Sequence, residues 1–253
     1  MSDFHEGTSL SPSPTESESL LAPPDSTGCL TEDIEAGLDA GVGLEQRLDW
    51  AGALRHYESV ARELDAESLR GPDWDARKAS LEMRRGNALM VLGRMDDARS
   101  AFDASLHAAK ASRDRLVLAR ALMGAGVFAG RSGDTPRGER FLLESLDRFS
   151  GIEGDAARQG AGWALLNLGA LYGKTGRLDL GFVTLEKARE RLHAISNWVG
   201  VASAWEAQSQ IRRAIGDEDR WREDLAEAVI FYEKQGMTEK ADQLRGLLKG
   251  KLI

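Results

Sequence analysis

The sequence predicts an all-α solenoid of about five helical hairpins closed by a short C-terminal helix. Three observations carry that expectation. In Trp163–Ala188 the residues Leu165, Leu168, Gly169 and Tyr172 fall on one face at i, i+3, i+4, i+7, and Leu178, Gly181, Leu185 and Ala188 line one face of a second stretch beyond Thr175-Gly176-Arg177. The same arrangement recurs along the chain. A composition of 29% charged and only 6% aromatic residues suits long helices with solvated faces.

The recurrence is counted from the turn residue. Seven before it stands a small residue, five after it usually another, nine after it a large apolar one, and twelve after it a mostly small one. Around Gly176 these are Gly169, Gly181, Leu185 and Ala188; around Gly93, Gly86, Ala98, Phe102 and Ser105; around Gly133, Gly126, Gly138, Leu142 and Ser145. Around Gly216 they are Ser209, Trp221, Leu225 and Ala228, and a worn first copy has Leu48 at the turn with Gly41, Ala53, Tyr57 and Val60. The turns lie 45, 40, 43 and 40 residues apart, so the spacing inside each unit is fixed while the linkers absorb the variation, as stacked hairpins require.

The elements follow in order. The first unit, about 34–70, starts a helix near Thr31 or Asp33 that runs to about Arg47, and a second covers roughly Trp50–Leu64. Gly71-Pro72-Asp73 is a stop followed by a start, opening the second unit (about 73–112) with helices near Asp73–Leu92 and Met95–Ala111. The third unit (113–152) has helices near Arg113–Arg131 and Thr135–Phe149, with Pro136 in the tolerated first turn. Helices near Ala156–Lys174 and Leu178–Ile195 make the fourth (155–196), and Trp198–Ile215 and Glu218–Gln235 the fifth (197–237). Thr238 is the expected N-cap of a closing helix, 238–249, whose Ala241, Leu244, Leu247 and Leu248 form an apolar stripe.

The small–turn–small–aromatic–small pattern resembles the tetratricopeptide repeat (TPR) family, most closely in Asn167–Ala188, and the resemblance extends over roughly Ile34–Gln235. It implies a right-handed superhelix whose first helices line a concave face. The period exceeds the family's 34 residues, which implies longer helices. Trp221 and Leu48 depart from the pattern in the terminal units, where capping repeats are atypical.

Residues 1–33 differ from the rest. They hold four of the six prolines, seven acids (Asp3, Glu6, Glu16, Glu18, Asp25, Glu32, Asp33) and no Lys or Arg, so they are expected to be a disordered tail. Of the net charge of −8, the tail contributes −7 and the repeat body about −1. Three roles stay open for it: a solubilising bristle, a short motif near Ser19-Leu20-Leu21, or an acidic decoy folding back on basic groove residues. Arg (25) far outnumbers Lys (8), the usage expected of a GC-rich bacterial genome.

Several functions are excluded as expectations. The single cysteine, Cys29, leaves no intramolecular disulfide, and there is neither a long apolar run for a membrane span nor a signal segment, so a cytoplasmic location is expected. His5, His56, His107 and His193 share no metal-ligand spacing, and the Gly-rich stretches Gly124-Ala125-Gly126 and Gly151–Gly154 lack a following Gly-Lys-Ser/Thr. No enzyme activity, cofactor or metal is expected, and the acidic chain is a poor nucleic-acid binder.

What remains is a surface. The resemblance implies groove residues Met83, Arg84, Asn87, Met90 and Val91 in the second unit, and Arg120, Met123, Val127 and Arg131 in the third. It adds Trp163, Leu166, Asn167 and Lys174 in the fourth, and Glu206, Gln210 and Arg213 in the fifth. The methionines with Val, Leu and Trp would make an adaptable apolar floor, or would pack between repeats; Asn87 and Asn167 offer donor and acceptor to a ligand backbone. The family's clamp for chaperone tails is missing, because Met83 and Gly124 stand where Lys and Asn are needed, and a frame kept at Asn167 meets Ser203 and Ala207. The expected function is a non-enzymatic adaptor or scaffold that holds a partner protein or peptide in the groove. The alternatives are a peptide-sensing regulator or a homo-oligomeric platform.

Overall fold

A computed structural model describes residues 26–67 and 70–250. Eleven α-helices and no strand occur among them: α1 Ser26–Gln46, α2 Trp50–Ala66, α3 Pro72–Val91, α4 Met95–Ser112, α5 Arg115–Arg131, α6 Thr135–Ser150, α7 Asp155–Lys174, α8 Leu178–Ala194, α9 Trp198–Ala214, α10 Glu218–Lys234 and α11 Thr238–Leu248. The bounds fall within about two residues of the expected ones except at the start. There α1 begins at Ser26 rather than Thr31 or Asp33, inside the segment expected to be tail, while residues 1–25 lie outside the described ones.

Each hairpin turn is built alike. Gly93, Gly133, Gly176, Gly216 and Gly236 have φ between +72° and +95°, the left-handed conformation in which a Cβ is costly. After four of these glycines the next residue donates its N–H back into the helix: Arg94 N to Leu89 O (2.9 Å), Arg177 N to Tyr172 O (2.9 Å), Asp217 N to Arg212 O (3.0 Å) and Met237 N to Tyr232 O (3.0 Å). That residue also precedes the second helix, and where it is an acid it caps it: Asp49 accepts from Gly52 N, Asp134 from Arg137 N and Asp217 from Arg220 N. The closing helix departs from expectation, because Met237 takes the N-cap position and Thr238 is already helical.

The first unit makes the same turn without a glycine. Leu48 holds φ +60°, with Asp49 N bonded to Leu44 O at 3.0 Å. A left-handed L-residue carries about 1–2 kcal/mol of strain. Leu48→Gly is therefore expected to stabilise the chain by about 1 kcal/mol in a urea titration. Any destabilisation would mean that the half-buried leucine side chain outweighs the backbone.

The recurring offsets are the packing code of the hairpins. The large residue is sealed in every unit: Tyr57, Phe102, Leu142, Leu185 and Leu225 are all at most 2% exposed. Opposite it the small residues let backbones touch. A Cβ on Gly138 would stand 2.8 Å from the Gly130 backbone nitrogen, and one on Gly181 3.1 Å from that of Gly173. The residue twelve after the turn does more than stay small. Ser105 donates its hydroxyl to Ala79 O and Ser145 to Ala119 O, both at 2.7 Å, tying the second helix of a unit to the first.

First helices also pack on one another, α3 on α5, α5 on α7 and α7 on α9, whereas second helices, among the described residues, pack mainly on their own hairpin partner and the next helix. Helices α3, α5, α7 and α9 thus form an inner layer, and the core is a chain of clusters running between the layers.

Candidate functional site

The inner layer opens into a trough of about 650 Å3 between α5, α7 and α9. Its floor is unusual in having almost no side chains: Gly126, Gly130, Ala170, Gly173, Ala207 and Ala214, with Leu142, Leu171 and Ile211 beneath. The glycines are there because the next repeat leans into them. A Cβ on Gly130 would meet Leu171 Cδ1 at 2.8 Å, and one on Gly173 would meet Ile211 Cδ1 at 2.3 Å. Seating each branched side chain against a bare backbone draws the inner helices together and leaves a smooth surface above.

Five of the residues expected from the sequence border this trough: Val127, Arg131, Asn167, Lys174 and Gln210. Asn167 donates its Nδ2 to Trp163 O at 2.9 Å, one turn back on α7, which turns its amide oxygen into the acceptor available to a ligand. Lys174 Nζ donates to Gly130 O at 2.9 Å, so its charge sits over the C-terminal turns of α5 and α7, where a cation is favoured. Arg131 is exposed, and no carboxylate borders the trough. No acid lies within salt-bridge distance of Arg131 or Lys174 among the described residues.

A second row lies toward the N-terminal units. Arg84 reaches Glu45 at 3.4 Å, and Glu45 also accepts from the Tyr57 hydroxyl at 2.8 Å. Burial raises the Glu45 carboxyl, with Tyr57 and Arg84 pulling the other way. Arg120 has no such partner among the described residues: burial, and then the charge of Arg84, push its guanidinium below the usual range, only partly countered by Asp114. An anion placed there would relieve both effects.

The remaining expected residues are elsewhere. Met90 and Leu166 are each 7% exposed and belong to the core, Met90 among Leu89, Phe102 and Phe128, Leu166 among Leu185, Leu192 and Val201. Their positions on the inner helices are covered by the adjoining repeat, so neither is free for a ligand. Met83, Met123 and Trp163 are half-buried and pack against neighbouring clusters, and none of them borders the trough. Arg213 lies over the Trp221 ring of α10, 5.1 Å from its centroid, and Glu206 is held by the Tyr232 hydroxyl (3.0 Å) and Lys240 (2.7 Å). Asn87 is half-buried on α3, outside the trough, and Val91 beyond it is exposed. The floor glycines were missed because a residue without a side chain does not look like a ligand contact. The signal was the shared offset, since Gly130 and Gly173 both stand four residues beyond the small residue of their helix.

Another cleft, about 490 Å3 between α8, α9 and α10, is lined by Trp205, Phe231, Glu190 and Glu227. Its aromatic faces are already taken, Trp205 by Arg189 at 3.8 Å and Phe231 by Trp198 stacked at 5.9 Å. No helix is long and apolar enough to cross a membrane, and no group of three metal-ligating side chains converges among the described residues.

No protein-family model matches the sequence, and no curated protein matches it. Solved structures do. PlcR of Bacillus thuringiensis, crystallised with the peptide PapR7 and DNA, superposes with a TM-score of 0.69 at 12% identity, over 88% of this chain and 76% of that one. The Rap conjugation gene regulator of plasmid pLS20, in complex with the Phr* peptide, gives 0.66 at 13% identity over 94% of this chain, which spans 65% of the regulator. TTC0263, a TPR protein of Thermus thermophilus, gives 0.51 at 18% identity, over 83% of this chain and 98% of that protein. At such identities the likeness is one of fold.

Proposed function

Since the chain is built as a TPR-like helical repeat protein, we propose that it is a non-enzymatic binding protein that holds an extended, acidic segment of a partner in the trough between α5, α7 and α9. The observation that carries this reading is the combination of a backbone floor with a rim whose charged residues are all cations. Small floor residues admit a main chain closely, Asn167 accepts from its N–H, and Arg131 and Lys174 meet its carboxylates. A volume of about 650 Å3 lies in the range of sites that bury most of a small ligand. Whether the segment belongs to a larger protein or is a free peptide distinguishes an adaptor from a sensor. The peptide complexes of PlcR and of the Rap regulator favour keeping the second reading.

Panning a random peptide library against the purified chain tests it. The enriched peptides are expected to carry Asp or Glu beside small apolar residues. Arg131→Glu/Lys174→Glu should weaken them at least tenfold, about 1.4 kcal/mol or more, and Asn167→Ala about fivefold, near the 1 kcal/mol of one hydrogen bond. Both losses are read by fluorescence anisotropy, and the first should shrink as salt rises. Enrichment of basic peptides, or affinities indifferent to the double reversal, would place the binding face elsewhere.

A further inference from the structure

The same cationic face points to an occupant within the chain. Residues 1–25 carry Asp3, Glu6, Glu16, Glu18 and Asp25 and no Lys or Arg. The repeat body as a whole is close to neutral, yet its inner face gathers Arg120, Arg131 and Lys174, none of which has a carboxylate within salt-bridge distance among the described residues. Three acids of the body are already taken by other cations. Glu45 is held by Arg84, Glu206 by Lys240 and Glu139 by Arg177, at 3.4, 2.7 and 2.9 Å. The chain therefore combines cations that are unpaired among the described residues with an acidic segment that carries no Lys or Arg.

Reach allows them to meet. The chain joins the body at Ser26, at the N-terminal end of α1. Arg84 of α3 reaches Glu45 of α1, and α3, α5 and α7 pack in turn, so about three steps of about 9 Å separate α1 from α7. The trough lies roughly 20 Å further along the helix axes, at their C-terminal half. About eleven extended residues span the resulting distance. That leaves Asp3, Phe4, Glu6 and Leu10 able to lie in the trough, with Glu16 and Glu18 passing the Arg84–Arg120 row. The apolar residues among these acids suit a floor of glycine and alanine.

We propose that the acidic segment 1–25 docks in cis along the concave face, over Arg120, Arg131 and Lys174, and competes there with the partner segment. This rests on the binding reading of the trough and names its regulator: a partner must displace the chain's own acids, so occupancy depends on ionic strength and on any change in the segment's charge.

The test uses full-length chains and a fluorescent synthetic peptide of residues 1–25 as probe. A tethered segment is presented to its own groove at an effective concentration of about 1 mM, so cis docking requires a dissociation constant for the free peptide below about 1 mM at low salt. A chain with Asp3→Asn, Glu6→Gln, Glu16→Gln and Glu18→Gln should bind the probe that tightly. The wild-type chain should bind it at least about twofold more weakly, because its own segment competes. Adding Arg131→Glu/Lys174→Glu to the neutralised chain should abolish binding, with an unchanged melting curve showing that these two exposed positions leave the fold intact. No binding at 1 mM, equal affinity of wild-type and neutralised chains, or indifference to the charge reversal each overturns the proposal. If library peptides still bind the trough in that case, only the cis segment falls. If the probe binds and no foreign peptide does, the partner reading fails instead.

Discussion

Gly138→Val is expected to destabilise the protein by about 3 kcal/mol or more, the upper end of what overpacking costs. The reason is what the new side chain would strike. A Cβ at position 138 stands 2.8 Å from Gly130 N, 3.0 Å from Gly126 O and 3.1 Å from Gly130 Cα, all of them backbone of α5. No rotamer change relieves such a clash, so α5 and α6 must separate. At Gly41 the nominal approach is closer, 2.1 Å, but it is to the Tyr57 ring, a side chain. Gly246→Ala in α11 is the matched control: nothing lies within 4 Å, and helix propensity alone should stabilise by up to about 1 kcal/mol. Denaturant titration gives the energies, and amide hydrogen exchange should show the loss concentrated in α5 and α6. The other side of Gly126 and Gly130 is the floor of the trough, so the same variant should lose peptide affinity. A Gly138→Val protein as stable as the parent would refute the tight backbone crossing at this hairpin.

Phe102→Ala is expected to cost about 3–5 kcal/mol and to change the shape of unfolding as well as its midpoint. Phe102 is 1% exposed, and its ring fills the space over Gly86 of α3 and Gly124 of α5, where added Cβ atoms would lie 3.0 Å away. It also meets the Phe128 ring at 5.4 Å. One side chain thus seals its own hairpin and couples the second unit to the third. In a solenoid stability is the sum of units and nearest-neighbour interfaces, so removing this ring should uncouple the two ends. Tryptophan fluorescence would then split into two transitions, with Trp50 and Trp74 following the N-terminal units and Trp163, Trp198, Trp205 and Trp221 the C-terminal ones. A single transition with less than about 1 kcal/mol lost would show that the interface is carried by other contacts.

The hairpins were readable from residue spacing because each offset has one physical task. A turn needs a left-handed residue, a crossing needs a missing side chain, and a seal needs a large one. Trp221 and Leu48 broke the pattern without breaking the structure: Trp221 is 6% exposed in the cluster under α11, and Leu48 adopts the left-handed turn that glycine takes elsewhere. The groove was only partly readable. Its offsets selected Val127, Arg131, Asn167, Lys174 and Gln210, which border the trough, and also Met90 and Leu166, which neighbouring repeats bury.

The sequence by itself determined the number of hairpins, the places of their turns and the residues that seal them, because these depend on contacts within one unit of fixed spacing. Only the tertiary structure decided which inner-face residues are open. That depends on how far each repeat leans into the next, and so on side chains some 40 residues away: Leu171 against Gly130 and Ile211 against Gly173 set the floor, and Lys174 reaches Gly130 O across the same gap. Helical periodicity places a residue on a face; the neighbouring repeat determines whether that face meets solvent.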